Sequence, residues 1–376
     1  MKKLVLLSAL AILPILNAPQ AFASKARLIS LGQDTNGSEY IEDTRSIFLN
    51  PAQLNRVGDF ANFEMGSSTV GTAPNAEGGF FNHVNNLHIG AQLGRETDLS
   101  QLITLTNSAM FPAAVAAISY PRNSFEVQIA SGDSYKWGAS IIYGTVEDRA
   151  EAPTPGFPNK KANTAELHGG LSHDNWDLHA ALDLYGSGET QIAESQYNKF
   201  TLQPSAKVGG AYALDTAQKI YFNAVYANFT ARNNTDPGDR TGSITSGQVG
   251  YAHFLNPEAA TQFFYSMGLL MSNYKLGGIG NNADAKLFQL NIPVVIGLEN
   301  AATDWLKLRA SVSQKVFIDQ TNTTATSYNK VNSTTVAAGA GVNWKKLTLD
   351  GTLAGSGTGQ VDGNNLLANA SLTYLF

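Results

Sequence analysis

Residues 135–376 repeat one unit, roughly ten residues of alternating polarity followed by a turn signal. The last unit is the clearest. Leu366, Ala368, Ala370, Leu372, Tyr374 and Phe376 share one face, and Leu367, Asn369, Ser371, Thr373 and Leu375 share the other. Further back, Val336, Ala338, Ala340, Val342 and Trp344 form a stripe backed by Thr335, Gly339, Gly341 and Asn343. Phe288, Leu290, Ile292, Val294, Ile296 and Leu298 form another, backed by Gln289, Asn291, Gly297 and Glu299. A period of two predicts strands, because a helix would scatter these residues around its axis.

Alternation of this kind fits a soluble sandwich as well as a membrane barrel. Two features favour the barrel. The apolar stripes carry aromatics near their ends (Trp137, Tyr143, Trp176, Tyr212, Phe263, Tyr265, Trp344, Tyr374, Phe376), as lipid-facing strands do at the membrane interfaces. The connections also alternate in length. Short ones fall near 132–133, 174–175, 215–218, 256–258, 300–303 and 345–346; longer polar ones span 147–162, 186–201, 232–242, 274–284, 318–332 and 355–363. The expected fold is all-β, a transmembrane antiparallel β-barrel of about fourteen strands, within a range of about twelve to sixteen. Twelve are readable after residue 135, and the upstream candidates are 60–68, 86–95, 110–119 and 124–130. Residues 97–105 have a helical pattern, and part of 97–130 is expected inside the barrel.

The chain divides into three. Lys2 and Lys3, the apolar run 4–16 and the Ala21-Phe22-Ala23 site predict a cleaved export signal over 1–23, with the mature chain starting at Ser24. Residues 24–59 lack strand character and are expected to form a small N-terminal plug; residues 60–376 form the barrel. Composition agrees: 15% of residues are charged, 35 are glycine and none is cysteine. Disulfides, thiolate metal sites and a lipoprotein anchor are excluded. A net charge of -5 without a basic run argues against nucleic acid. The expected location is the outer membrane, with membrane lipid and the barrel-assembly machinery as partners. Leu372, Tyr374 and Phe376 form the C-terminal assembly signal.

Within 24–59 the sharpest feature is Asn50-Pro51-Ala52. Asn50, held out of the α region by Pro51, can cap a helix that Pro51 starts. With Leu31-Gly32 and Ile47-Phe48-Leu49 ahead of it, this run resembles the plug motif of long-chain fatty-acid transporter-like outer-membrane proteins. The layout, with Lys25-Ala26-Arg27 after the signal, resembles the porin-like major outer-membrane proteins of predatory bacteria. The resemblance implies an oligomeric outer-membrane barrel with a small plug, in the second group associated with lipid.

No catalytic set emerges. Ser172-His173-Asp174 cannot align, because neighbouring strand residues point to opposite faces. Neither a metal site nor a cofactor is expected; His168 and His179 read as solvated lumen residues and Asp236-Pro237-Gly238-Asp239 as a turn. The informative charges lie on the strand after Trp305. With Leu306, Leu308, Ala310 and Val312 facing lipid, Lys307, Arg309 and Lys315 face the lumen. Asp177, His179, Asp183, Glu299 and Asp350 are the lumen candidates that oppose them, either to select small polar solutes or to close the lumen with a charge network. Pro293 marks a bulge or kink in its strand. Two functions are weighed: a porin-like pore or structural, lipid-associated barrel, homo-oligomeric; and a transporter of hydrophobic molecules, with inward Tyr185, Phe264, Leu270 and Leu287 lining an apolar pocket.

Overall fold

The computed structural model describes residues 24–66, 75–97, 99, 102, 103, 106, 118–149, 152, 159–194, 196–234, 236, 238–280, 283–322, 333–357 and 366–376. The export signal and the 110–117 part of a candidate strand lie outside the described residues. Two short helices, α1 (Lys25–Ser30) and α2 (Leu54–Val57), precede the strands, with 3-10 turns at Thr44–Phe48 and Pro51–Gln53. The strands are β1 (Phe60–Gly66), β2 (Asn75–Val84), β3 (Leu87–Arg95), β4 (Ser124–Ser131), β5 (Lys136–Asp148) and β6 (Asn159–Ser172). They continue as β7 (Trp176–Ala193), β8 (Gln196–Leu202), β9 (Ser205–Ala213), β10 (Gln218–Arg232), β11 (Arg240–Leu255) and β12 (Thr261–Leu276). The last five are β13 (Ala285–Ala301), β14 (Leu306–Asn322), β15 (Ser333–Trp344), β16 (Leu347–Gly357) and β17 (Leu366–Leu375).

Each strand pairs antiparallel with its sequence neighbours, except that β8 and β9 do not pair with each other, and β1 pairs with both β2 and β17, which closes the sheet into a barrel. The β8 and β9 segments lie end to end between β7 and β10, so seventeen segments make sixteen staves. The interruption falls at Gln203-Pro204, where proline has no N–H for the ladder. Sixteen staves correct the sequence figure of about fourteen and sit at the top of its range. Twelve follow residue 135 as read; the stave missed upstream is β2, whose Gly78-Gly79 and His83 blur its alternation.

Face assignment follows the alternation. Leu308, Val312, Ile296 and Leu353 present between 43% and 61% of their surface outward, while Arg309, Ser311 and Asp350 on the same strands are buried inside. Tyr135, Trp305, Trp344, Tyr374 and Phe376 form an exposed aromatic rim at the short-turn end, and Phe125, Tyr143 and Tyr226 mark the opposite edge. Several stretches read as loops are strand instead: β7 runs to Ala193 and β14 to Asn322, so hairpins extend past the apolar band. An irregularity at Ala165/Glu166 inserts one residue into β7. It turns Tyr185 outward, 44% exposed, which corrects its assignment to an inner apolar pocket.

The interior is filled from both ends. Near the long-loop end, Leu99, Leu102, Ile103 and Ile118 pack with Phe200, Phe229 and Tyr274 into an apolar cluster. Phe200 stacks on Phe229 at 5.0 Å and Phe229 on Tyr274 at 5.8 Å between ring centroids. Leu99, Leu102 and Ile103 are helical, as their pattern indicated. The short-turn half holds the N-terminal segment.

Candidate functional site

Three side-chain caps shape the N-terminal segment. Ser24 Oγ accepts from Arg27 N–H to start α1, Asp43 accepts from Arg45 N–H, and Asn50 Oδ1 accepts from Ala52 N–H at 3.0 Å. Pro51 occupies the first position after its cap, and Gly58 ends α2 with φ of +71°. The Asn50-Pro51-Ala52 turn presses against the wall, with Asn50 Nδ2 donating to Leu171 O at 3.2 Å. Gly138 and Gly170, inward on β5 and β6, make this approach possible: a Cβ at Gly138 would strike Pro51, and one at Gly170 would strike Asn50. The sequence signal for these positions was present, but only as glycines on a polar face.

Two buried ion clusters bind this segment to the barrel. In the first, Lys25 and Arg45 of the segment and Arg95 of β3 meet Glu64, Glu77 and Glu126 of β1, β2 and β4. Arg45 lies 3.1 Å from Glu77 and Arg95 lies 2.8 Å from Glu126; Arg45 also pairs with Glu64, and Lys25 with Glu77. Both guanidiniums cover the Phe48 ring, Arg95 at 3.9 Å and Arg45 at 4.8 Å. In the second cluster Arg27 bridges Asp43 and Glu299, each at 2.9 Å, while Arg309 pairs with Glu299 and reaches Asp350 at 2.6 Å. Burial opposes the charge of Arg27, yet Glu299 and Asp43 keep its pKa above the ordinary value. Asp43 shares Arg27 with Glu299, so burial outweighs its pairing and pushes its carboxyl up to about 6. Removing one member of such a buried pair costs about 3–5 kcal/mol, because the partner is left charged and dry.

Among the described residues the segment separates a cavity of about 660 Å³ toward the long loops from one of about 360 Å³ toward the short turns. Both are lined by Ser38, Glu39, Tyr40, Leu49 and His179, so these residues form the partition. His179 Nε2 lies 3.1 Å from Glu39 Oε1. Tyr40 packs against Tyr221 with ring centroids 5.1 Å apart and tilted by 33°, and shares a 2.8 Å hydrogen bond with Ser266; burial pushes its phenol pKa up. Lys219 beside Glu42 pulls that carboxyl below its usual range.

The candidates from the sequence separate into two groups. Lys315 lines the larger cavity, Lys307 and Asp177 the smaller, and His179 both. Arg309, Glu299 and Asp350 are occupied by the second ion cluster; Glu299 and Arg309 are register partners on β13 and β14 rather than opposite walls. Asp183 is buried and accepts from Ser205 Oγ, so it does not oppose the basic strand. Lys25, Arg27, Arg45, Glu39, Glu64, Glu77, Arg95 and Glu126 were missed as site residues. Glu64 was legible in part, since alternation in β1 places it with Asn62 on the inner face. Among the described residues no group of three His, Asp or Glu is placed to hold a metal ion. Asp236 Oδ2 accepts from Asn233 N–H at 2.9 Å, which closes a turn.

Pro293 faces β12 with no N–H to give. Pairing between β12 and β13 is present at Met267–Val294 and Leu270–Asn291 and absent at the two positions between them. On its other side Pro293 stays in register with Lys315 of β14. Phe264 is buried against Tyr40, Tyr221 and Phe254, and Leu287 packs on the long-loop cluster.

A closed antiparallel barrel with an apolar outer belt, aromatic rims and its own N-terminal segment inside is an integral outer-membrane β-barrel. No family model matches the chain, and no curated protein matches it. Among solved structures it is similar to a bacterial polysaccharide outer membrane secretin, with 9% identity over 85% of this chain and 98% of that one and a TM-score of 0.50. It is also similar to a Pseudomonas aeruginosa FadL homologue (12% identity, 94% and 98% covered, TM-score 0.45). A third similar structure is the Pseudomonas putida toluene transporter TodX (12% identity, 94% and 97% covered, TM-score 0.39). At 9% identity the likeness to the secretin is one of fold.

Proposed function

We propose that this chain is a porin-like outer-membrane barrel that admits small polar solutes past an internal plug, as a homo-oligomer in contact with outer-membrane lipid. The observation that carries this reading is the charge of the two cavities. Lys315, Lys207 and Glu166 line the larger, Lys307, Lys219 and Asp177 the smaller, and the Glu39–His179 contact stands between them. Cavities of this size and polarity suit a hydrated ion or small metabolite. The resemblance to the porin-like proteins of predatory bacteria supports the oligomeric, lipid-associated part of the reading. The test is the reversal potential across a planar bilayer in a salt gradient. Lys315→Gln shifts preference toward cations and Glu39→Gln toward anions; identical reversal potentials in both variants and the parent overturn the reading.

A second reading, a transporter of hydrophobic molecules, is favoured by the unpaired stretch of wall at Pro293. The larger cavity is lined there by Pro293, Val294 and Val295, and Gly268 adds no side chain to the inner face of β12. Pro293→Val, which restores the missing donor, abolishes uptake of an apolar dye into cells under this reading and leaves it unchanged under the first.

A further inference from the structure

His83 and His88 are register partners on β2 and β3. Only Asn85 and Asn86 lie between the two strands, and the pair Val84–Leu87 closes the turn. In a two-residue hairpin the pair after the closing one is not hydrogen-bonded, and its side chains stand closest, on Cα atoms about 4.5 Å apart. His83 and His88 occupy that pair. They share a face with Phe81, which is buried against Phe48 and Leu54 of the N-terminal segment, so both rings stand on the inner side of the wall at its short-turn mouth. Their centroids are 5.9 Å apart and the rings are tilted by 41°.

Asp59, the residue before β1, holds one of the rings. His83 Nδ1 lies 2.8 Å from Asp59 Oδ1 and 2.6 Å from its Oδ2. An ionised carboxylate only accepts, so Nδ1 carries the proton and the Nε2 lone pair of the neutral ring is left for a ligand. A carboxylate on the far nitrogen is what orients metal-binding histidines. The ring spacing fits the same use. A metal about 2.0 Å from an imidazole nitrogen lies about 3.2 Å from the ring centroid, so two rings on one tetrahedral ion stand about 5.2 Å apart. The pair reaches that spacing by a small turn of His83, whose side chain is 56% exposed.

We propose that His83 and His88 together bind a zinc ion at the short-turn mouth, with Asp59 holding His83 and water filling the other positions. Two imidazoles suit a borderline ion such as Zn2+ and not the oxygen-seeking Mg2+ or Ca2+. Asp59 is also where three parts of the chain meet. It ends the N-terminal segment, precedes β1, and its carbonyl accepts from Phe376 N–H at 3.4 Å. A metal on the β2–β3 hairpin therefore clamps the point at which the N-terminal segment enters the closing seam of the barrel. Neither histidine lines either of the two cavities, so the site is independent of which solute the lumen admits.

The test is equilibrium dialysis of Zn2+ against tag-free protein in detergent, with Mg2+ in excess. The parent takes up one Zn2+ per chain, and X-ray absorption at the zinc edge shows two imidazole nitrogens at about 2.0–2.1 Å. His83→Gln and His88→Gln each weaken uptake at least about tenfold, and Asp59→Asn weakens it by about tenfold to a hundredfold. His253→Gln, whose ring contacts Tyr265 at a different turn, leaves it unchanged. A parent that takes up no Zn2+, a zinc shell with fewer than two imidazoles, or undiminished uptake when both His83 and His88 are replaced overturns the proposal. The parent's absorption spectrum decides the question even where a variant fails to assemble.

Discussion

Placing an arginine at successive outward positions of β14 tests the face assignment with a graded response. Strands rise about 3.3 Å per residue and tilt about 40° in a barrel, so each residue climbs about 2.5 Å along the axis. The apolar band of an outer-membrane barrel is about 25 Å tall. Trp305, 54% exposed, marks its short-turn edge here. Counted from Trp305, Leu308 lies about 8 Å into the band, Ala310 about 12 Å and Val312 about 17 Å. Ala310 is therefore at the midplane, with its register partners Leu298 and Ala338 also facing lipid. Ala310→Arg destabilises by about 2–4 kcal/mol, and Leu308→Arg and Val312→Arg by about half as much. Lys307→Ala, whose side chain opens into the smaller cavity, costs under about 1 kcal/mol. Urea titrations of the four variants refolded into lipid measure all of these values. Equal costs at Leu308, Ala310 and Val312, or a larger cost for Lys307→Ala than for Ala310→Arg, refute the assignment.

Three further outcomes follow from the same geometry. Arg45→Met strands Glu64, while Glu77 keeps Lys25 and Arg95, and weakens docking of the N-terminal segment by about 3–5 kcal/mol, read as tryptic cutting after Arg27; adding Glu64→Leu recovers most of the loss. Asp43, pushed up to about 6 from 3.8, holds a proton in the folded protein that the unfolded chain has released. Its contribution to stability therefore falls as pH rises through that window, by on the order of 3 kcal/mol, and Asp43→Asn flattens the slope in urea midpoints taken from pH 4 to pH 7. Deleting Phe376, which stacks on Phe80 at 5.0 Å beside the closing β17–β1 seam, lowers the yield of heat-modifiable barrel.

The barrel was legible because lipid imposes a period of two on every stave, and stripes such as Phe288 to Leu298 keep it without interruption. Legibility failed where that constraint lapses. The hairpin of β7 and β8 rises past the apolar band, so Ser187, Glu189 and Gln191 face outward as polar residues and mimic a loop. The Asn50-Pro51-Ala52 turn was readable because capping is local chemistry. The ion clusters were not, because Arg45 meets Glu77 and Arg27 meets Glu299 across separations that no local pattern records. Arg309, Glu299 and Asp350 lie on the inner face; what they touch there includes α1, and α1 carries no period that points to its partners.

The account rests on residues 24–59 lying inside the barrel, against inward positions. A native chain without cysteine allows this to be read by one cross-link. A Cβ built at Gly32 lies 3.5 Å from the Cβ of Ser311, within the span of a disulfide, while Val312 points to lipid. Gly32→Cys with Ser311→Cys, oxidised by dissolved oxygen in outer-membrane material, forms a disulfide, seen as the loss of two hydrogen atoms in mass that reductant reverses. Gly32→Cys with Val312→Cys stays reduced. Failure of the Ser311 pair to close, or equal closure with Val312, contradicts an N-terminal segment held inside the lumen.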